Sequence, residues 1–172
     1  MKLTYISYIA LMCLFQAPAF GDTPNFQDGF EEGLGNWHPN QERIEIVGSN
    51  CFEGSKCVRI ERENGRGYTY IGRVFRVPSR GTLRIEAKIR AEGVVPGVKN
   101  YQRGKFVAVV IENGKEVDWP NADFEGTISQ WVPRAVTIPD LDPSIDVDMR
   151  IGLQNAKGVV FVDDVKAFFT PR

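Results

Sequence analysis

The chain has 172 residues, a net charge of −1 at pH 7 and 25% charged side chains. This balance lacks the basic excess of a nucleic-acid-binding surface and so excludes that class of partner. Its 17 glycines and 10 prolines favour many short elements joined by turns over long helices.

In chain order, Met1-Lys2-Leu3 supplies one positive charge, and Tyr5–Phe15 is an apolar run too short to span a bilayer comfortably. Small residues then lead to Ala19-Phe20-Gly21, a cleavage site before Asp22. This three-part pattern predicts a signal peptide over 1–21 and an exported mature chain, secreted or periplasmic. The alternative, an uncleaved anchor, is disfavoured by the short core and the absent charged stop. Cys13 follows Met12 rather than a small residue, which argues against a lipoprotein site. Loss of Lys2 with the leader makes the charge one unit more negative. Residues 22–172 are long enough for one domain with its own core. No further long apolar stretch follows, so no membrane contact is expected after cleavage, and no Asn-x-Ser/Thr sequon occurs.

From there the dominant period is two. Strands are predicted at Arg43–Val47, Cys57–Arg62, Tyr68–Val77 and Lys105–Glu112, and at Trp131–Ile138 and Val159–Phe168. Two further segments alternate strictly. Leu83, Ile85, Ala87, Ile89 and Ala91 interleave with Arg84, Glu86, Lys88 and Arg90. Ile145, Val147, Met149, Ile151 and Leu153 interleave with Asp146, Asp148 and Arg150. Each reads as a strand with one face on a core and one in water. Asn64-Gly65, Pro78–Gly81 and Pro139–Pro143 mark turns, and Asn113-Gly114 closes a tight hairpin. No window has sustained helical spacing. The prediction is an all-β antiparallel sandwich or barrel. Glu92–Gly104 is left as the one long loop, a place where function is often found.

Cys51 and Cys57 are the pair left after cleavage, and an oxidising compartment favours a disulfide between them. A metal pair is the alternative, but no His or further Cys stands near to complete it. A ring this small gains little chain entropy, so the bridge is expected to fix local geometry. The single histidine, His38, lies in a polar loop without an evident catalytic partner, and no Gly-x-Ser-x-Gly motif occurs.

Three segments carry a resemblance. They are Asp28-Gly29-Phe30-Glu31-Glu32-Gly33-Leu34-Gly35-Asn36-Trp37, then Glu53-Gly54-Ser55-Lys56-Cys57-Val58, then Val159-Val160-Phe161-Val162-Asp163-Asp164-Val165. In this order and spacing they resemble the jelly-roll carbohydrate-binding modules of the family four, nine and twenty-two type. The resemblance implies two antiparallel sheets in a jelly roll. It also implies a structural calcium ion held by Glu31, Glu53, the Lys56 carbonyl and Asp163, and core roles for Trp37 and Trp131. Residue types support part of this. Asp163 shares parity with Val159, Phe161, Val165 and Ala167, so a core-facing parity would bury a carboxylate, which must be paired or metal-bound. The alternative is that Asp163 accepts backbone or Arg hydrogen bonds without a metal. Asp164, in parity with Lys166, is expected to face water.

A sugar site needs aromatic platforms edged by polar groups. Trp119, Tyr101, Tyr68 and Tyr70 are the candidates, with ordinary packing as the alternative for each. Arg84, Lys88 and Arg90, joined by Arg59, Arg73 and Arg150, would suit acidic glycans if they shared a face. The interleaved Glu86, Asp146 and Asp148 favour a mixed, solvated face instead. The expected function is non-catalytic binding of a polysaccharide or oligosaccharide by a monomer. The alternatives are a protein-binding or adhesion module and a jelly-roll glycoside hydrolase or lyase, since fold alone does not fix function.

Overall fold

The computed structural model describes residues 23–41 and 43–172. The expected leader, 1–21, lies outside the described residues. Strands β1 (Phe26–Asp28), β3 (Ile44–Val47), β4 (Cys57–Arg62), β6 (Gly81–Val95), β9 (Gly126–Leu141) and β11 (Lys157–Pro171) form one antiparallel sheet. Strands β2 (His38–Pro39), β5 (Tyr68–Phe75), β7 (Gly104–Glu112), β8 (Lys115–Asp118) and β10 (Asp146–Gln154) form the second. The sheet orders are β3-β4-β11-β6-β9, with β1 also on β11, and β2-β5-β10-β7-β8. No helix among the described residues is long and apolar enough to cross a membrane.

The fold is therefore the expected all-β jelly-roll sandwich of two antiparallel sheets. The alternating strands do what their period requires. Leu83, Ile85, Ala87, Ile89 and Ala91 of β6 are buried, as are Val147, Met149, Ile151 and Leu153 of β10. They meet in one core between the sheets with Phe30, Trp37, Phe106 and Val160. Asn113 and Gly114 both take positive φ, 51° and 73°, the geometry of a two-residue hairpin turn between β7 and β8.

Sequence reasoning misses β1 and β2, which are too short to show a period. The long loop is also shorter than expected: β6 runs to Val95 and β7 begins at Gly104, leaving 96–103.

Strand β11 departs from simple alternation. Val160 and Val162 face the core, but so do Val165 and Ala167, which have the opposite parity. The register against β6 slips between Asp163 and Lys166, and Asp164 sits at φ 45°. This bulge inserts one extra residue and switches the inward face. It also marks a change of neighbour. Val162 is the last β11 residue paired with β4, and Val165 is the first paired with β1.

Candidate functional site

A groove crosses the outer face of the five-stranded sheet. Its floor is Val107 and Val109 of β7, apolar residues on the outward parity of a strand whose inward side is Phe106, Ala108 and Val110. Its walls include Tyr68 of β5, Arg150 and Gln154 of β10, Glu116 of β8, and Trp119, Asn121 and Tyr101. Three of the four predicted aromatic platforms thus line one groove. Trp119 is 50% exposed and Tyr101 46%. Tyr70 does not line it but backs Tyr68, with ring centroids 4.5 Å apart.

Local backbone bonds put the platforms there. After β8 the chain folds back along β7: the Ala108 amide donates to the Pro120 carbonyl at 2.9 Å and the Ala122 amide to Phe106 at 2.8 Å. Asn121 Nδ2 donates to the Trp119 carbonyl at 2.9 Å, bracing the backbone that carries the indole. Tyr101 lies in the 96–103 loop, which is braced by Gly97 and Gln102 amides donating to Gln102 and Lys99 carbonyls.

The polar groups between the rings form a paired network. Arg150 donates to Asp148 Oδ2 at 2.7 Å and to Glu116 Oε1 at 2.9 Å. Its guanidinium lies 5.6 Å from the Tyr70 ring. Lys105 pairs with Asp123 at 2.5 Å, and His38 Nε2 stands 3.6 Å from Asp148 Oδ1. The Glu116 carboxyl is held below its ordinary range by the hydrogen bond from Trp119, with Arg150 adding to it. Burial pushes the Asp123 carboxyl up despite Lys105. Burial likewise pushes up the Tyr68 hydroxyl, whose oxygen is sequestered without a hydrogen-bond partner, as are Asp123 Oδ1 and Asp148 Oδ1.

Sequence reasoning missed Glu116, Gln154, Lys105 and Asn121 as groove residues. One signal was available: Phe106–Ile111 is apolar on both parities, which marks a strand covered on its outer face too.

The predicted metal ligands gather elsewhere, at the β11 bulge. Asp163 is fully buried and Asp164 nearly so. Asp163 lies not in the core but on the outward side of β11, beneath the Cys51–Cys57 loop. Phe52 and Glu53 amides donate to its Oδ2 at 2.8 and 3.1 Å, and the Asp164 amide to Oδ1. Asp164, expected in water, is instead covered on the Lys166 side of the strand, where it accepts from Gln27 Nε2 and Lys166 Nζ. Glu31 accepts from the Ser55 amide and hydroxyl and the Lys56 amide, and these bonds lower its carboxyl range. Asp163 is raised by burial. Gly54 at φ 65° lets the loop close on Glu31: a Cβ there would lie 2.2 Å from Glu31 Oε1. The disulfide Cys51–Cys57 closes the same loop, with Cα atoms 5.4 Å apart. Among the described residues, no three His, Cys, Asp or Glu side chains are drawn close enough to hold a metal as they stand.

The six predicted cations do not form one row. Arg59 pairs with Glu45 and Glu61, and Arg84 with Glu86. Arg73 lies over Phe26, and Arg150 belongs to the groove on the other sheet. Trp37 is core, as expected; Trp131 is not, being part-exposed on the outer face of the six-stranded sheet.

No protein-family model matches the chain, and no curated protein matches it. Solved structures do. One is the CBM22-1 xylan-binding domain of Xyn10C from Paenibacillus barcinonensis, at 15% identity and TM-score 0.64, covering 91% of this chain and 99% of that one. Another is TmCBM61 in complex with beta-1,4-galactotriose, at 16% identity and TM-score 0.54, covering 83% and 94%. A third is the CBM22-1–GH10 part of Clostridium thermocellum xylanase Xyn10B complexed with xylohexaose, at 12% identity and TM-score 0.61, covering 87% of this chain and 29% of that one. The chain shares the jelly-roll fold of these carbohydrate-binding modules.

Proposed function

We propose that the chain is a non-catalytic, exported glycan-binding module that takes a polysaccharide or oligosaccharide in the groove of the five-stranded sheet. One observation carries this reading: half-exposed Trp119 and Tyr101 converge with Tyr68 over an apolar valine floor, among polar groups at hydrogen-bonding height. Aromatic faces match the C–H faces of sugar rings, and the surrounding Gln154, Asn121 and carboxylates match their hydroxyls. The groove's cations are each paired with a carboxylate, which fits a neutral glycan. Structures of the same fold carry the printed descriptions xylan-binding and complexed with xylohexaose or beta-1,4-galactotriose.

Calcium is the second part of the proposal. The donors at the β11 bulge are all oxygen, the chemistry calcium prefers. Asp163 is a buried carboxylate with amide but no Lys or Arg partner among the described residues. Glu31, Glu53 and the Lys56 carbonyl stand on the same loop junction and would complete the set, at the cost of loosening the amide bonds that Glu31 and Asp163 now accept. A bound ion would neutralise charge there and tie the loop to β11.

Affinity electrophoresis of the mature protein through gels holding neutral and anionic polysaccharides tests the binding claim. Retardation by a neutral polysaccharide, abolished in Trp119→Ala, is expected. No retardation across a broad panel overturns the reading and leaves a protein-binding role as the better account.

A further inference from the structure

The outer face of the six-stranded sheet carries a second aromatic cluster, unconnected to the groove. Between the β6 pairs Ile89↔Val132 and Ala91↔Ile128, one residue of β6 faces three of β9, and this bulge raises Trp131 above the sheet. Its indole Nε1 donates to the Asn50 carbonyl at 3.1 Å, and its ring meets that of Phe52 edge-on at 6.3 Å. Phe52 is 41% exposed. A depression opens between Trp131, Ser129, Arg90 and the Asn50-Cys51 end of the disulfide loop.

Two cations border it. Lys88 and Arg90 share the outward parity of β6, two residues and so about 7 Å apart along the strand. Lys88 Nζ lies 4.6 Å from the Phe52 ring centre and makes no ion pair among the described residues; its cross-strand neighbour Asp163 is taken up by backbone amides beneath the loop. Arg90 is stacked over Phe161 at 3.9 Å, with Trp131 at 5.9 Å. One arm reaches the half-exposed Glu92 at 2.8 Å, while its buried Nε has no acceptor. Elsewhere on this sheet Arg59 and Arg84 are matched by Glu45, Glu61 and Glu86. Here an ammonium without an ion pair and a partly satisfied guanidinium flank a part-exposed indole.

We propose that this depression is a second saccharide site, for a sugar carrying a carboxylate or sulfate group. The sugar's C–H face packs on Trp131, and its anionic group takes the donors of Lys88 and Arg90, charge-assisted bonds about twice as strong as neutral ones. The site stands independently of the groove. The whole chain is slightly acidic, with a pI near 5.9, so attraction to a polyanion has to come from a local patch rather than from overall charge.

The test uses the mature protein carrying Trp119→Ala, which disables the groove. It is run at pH 7 through gels holding polygalacturonate, dextran sulfate or neutral xylan, with mobility referenced to gels lacking polysaccharide. Retardation by polygalacturonate or dextran sulfate but not by xylan is expected, and the retarding gel identifies carboxylate or sulfate. Lys88→Gln in the same background is expected to weaken the interaction roughly tenfold, as is raising the salt from about 0.05 M to about 0.3 M. Trp131→Ala is expected to abolish it. Because Trp131→Ala also removes the bond to Asn50, Lys88→Gln, which touches no hydrogen bond, is the decisive variant. Absence of retardation by both polyanions overturns the proposal, as does equal retardation of Lys88→Gln. Wild-type retardation by neutral xylan reports on the groove alone, so failure of one site is separable from failure of the other.

Discussion

Trp119 and Arg150 are joined through one carboxylate: the indole donates to Glu116 Oε2 at 3.2 Å, and the guanidinium donates to Glu116 Oε1 at 2.9 Å. The platform and the central cation of the groove are therefore held by the same side chain. Both bonds are strongest while Glu116 is ionised.

That dependence has a sign. The Glu116 carboxyl is depressed from 4.5 by the hydrogen bond from Trp119 and by Arg150. A depressed folded-state value contributes stability that is fully present above the unfolded value and is lost as the pH falls through the folded one. A carbon-detected titration should place Glu116 below 4.5 in the wild type and return it toward 4.5 in Trp119→Phe. An unchanged Glu116 titration in that variant would remove the indole bond as the cause.

Trp119→Ala should lower affinity for a neutral glycan at least tenfold, about 1.4 kcal/mol. The residue is half exposed, so the melting temperature should move by no more than about 2 °C. Calorimetry on both proteins checks the pair of outcomes. A large loss of stability would recast the indole as packing.

Tyr68→Phe separates the ring from its hydroxyl. The oxygen is buried and unpartnered, so its removal should leave stability unchanged or raise it by up to about 1 kcal/mol. Because that oxygen is closed off from the groove, glycan affinity should stay within about twofold of the wild type. A loss of about tenfold or more would show that the oxygen reaches the sugar.

Chelation should lower the melting temperature of the wild type and leave Asp163→Ala unaffected, with metal content followed by elemental analysis. Asp163→Ala itself should cost about 2–4 kcal/mol, since three amides lose their acceptor at a buried position. If chelated and calcium-loaded wild type melt together, the loop is held by its hydrogen bonds alone.

The fold was legible wherever a strand was long and covered on one face. β6 and β10 declare themselves by alternation, and the Asn113-Gly114 turn by its dipeptide. β1 and β2 were not legible, because their placement comes from pairing with β11 and β5 rather than from their own pattern. At the candidate site, residue type was enough to nominate Trp119, Tyr101 and Tyr68. It could not bring Gln154 or Glu116 beside them, since that needs the registers of β10 and β8. The parity argument for Asp163 found the burial and misplaced it: counting by twos along β11 fails at the bulge, so Asp163 ended under the disulfide loop, and Asp164 is covered beside Gln27 and Lys166 rather than in water.

The extra residue at Asp164 also sets what the chain can tolerate in length. Deleting it would put Val160, Val162, Val165 and Ala167 on one parity, all still inward, but would take away the carboxylate that accepts from Gln27 and Lys166. It would also abolish the offset at which β11 exchanges β4 for β1. A single-codon deletion beside it, at Phe161 or Lys166, would turn the following side chains over and should be refused, whereas one in the 96–103 loop would shift no strand. Related sequences should therefore vary freely in length at the loop and differ through the last strand by no more than the extra residue itself.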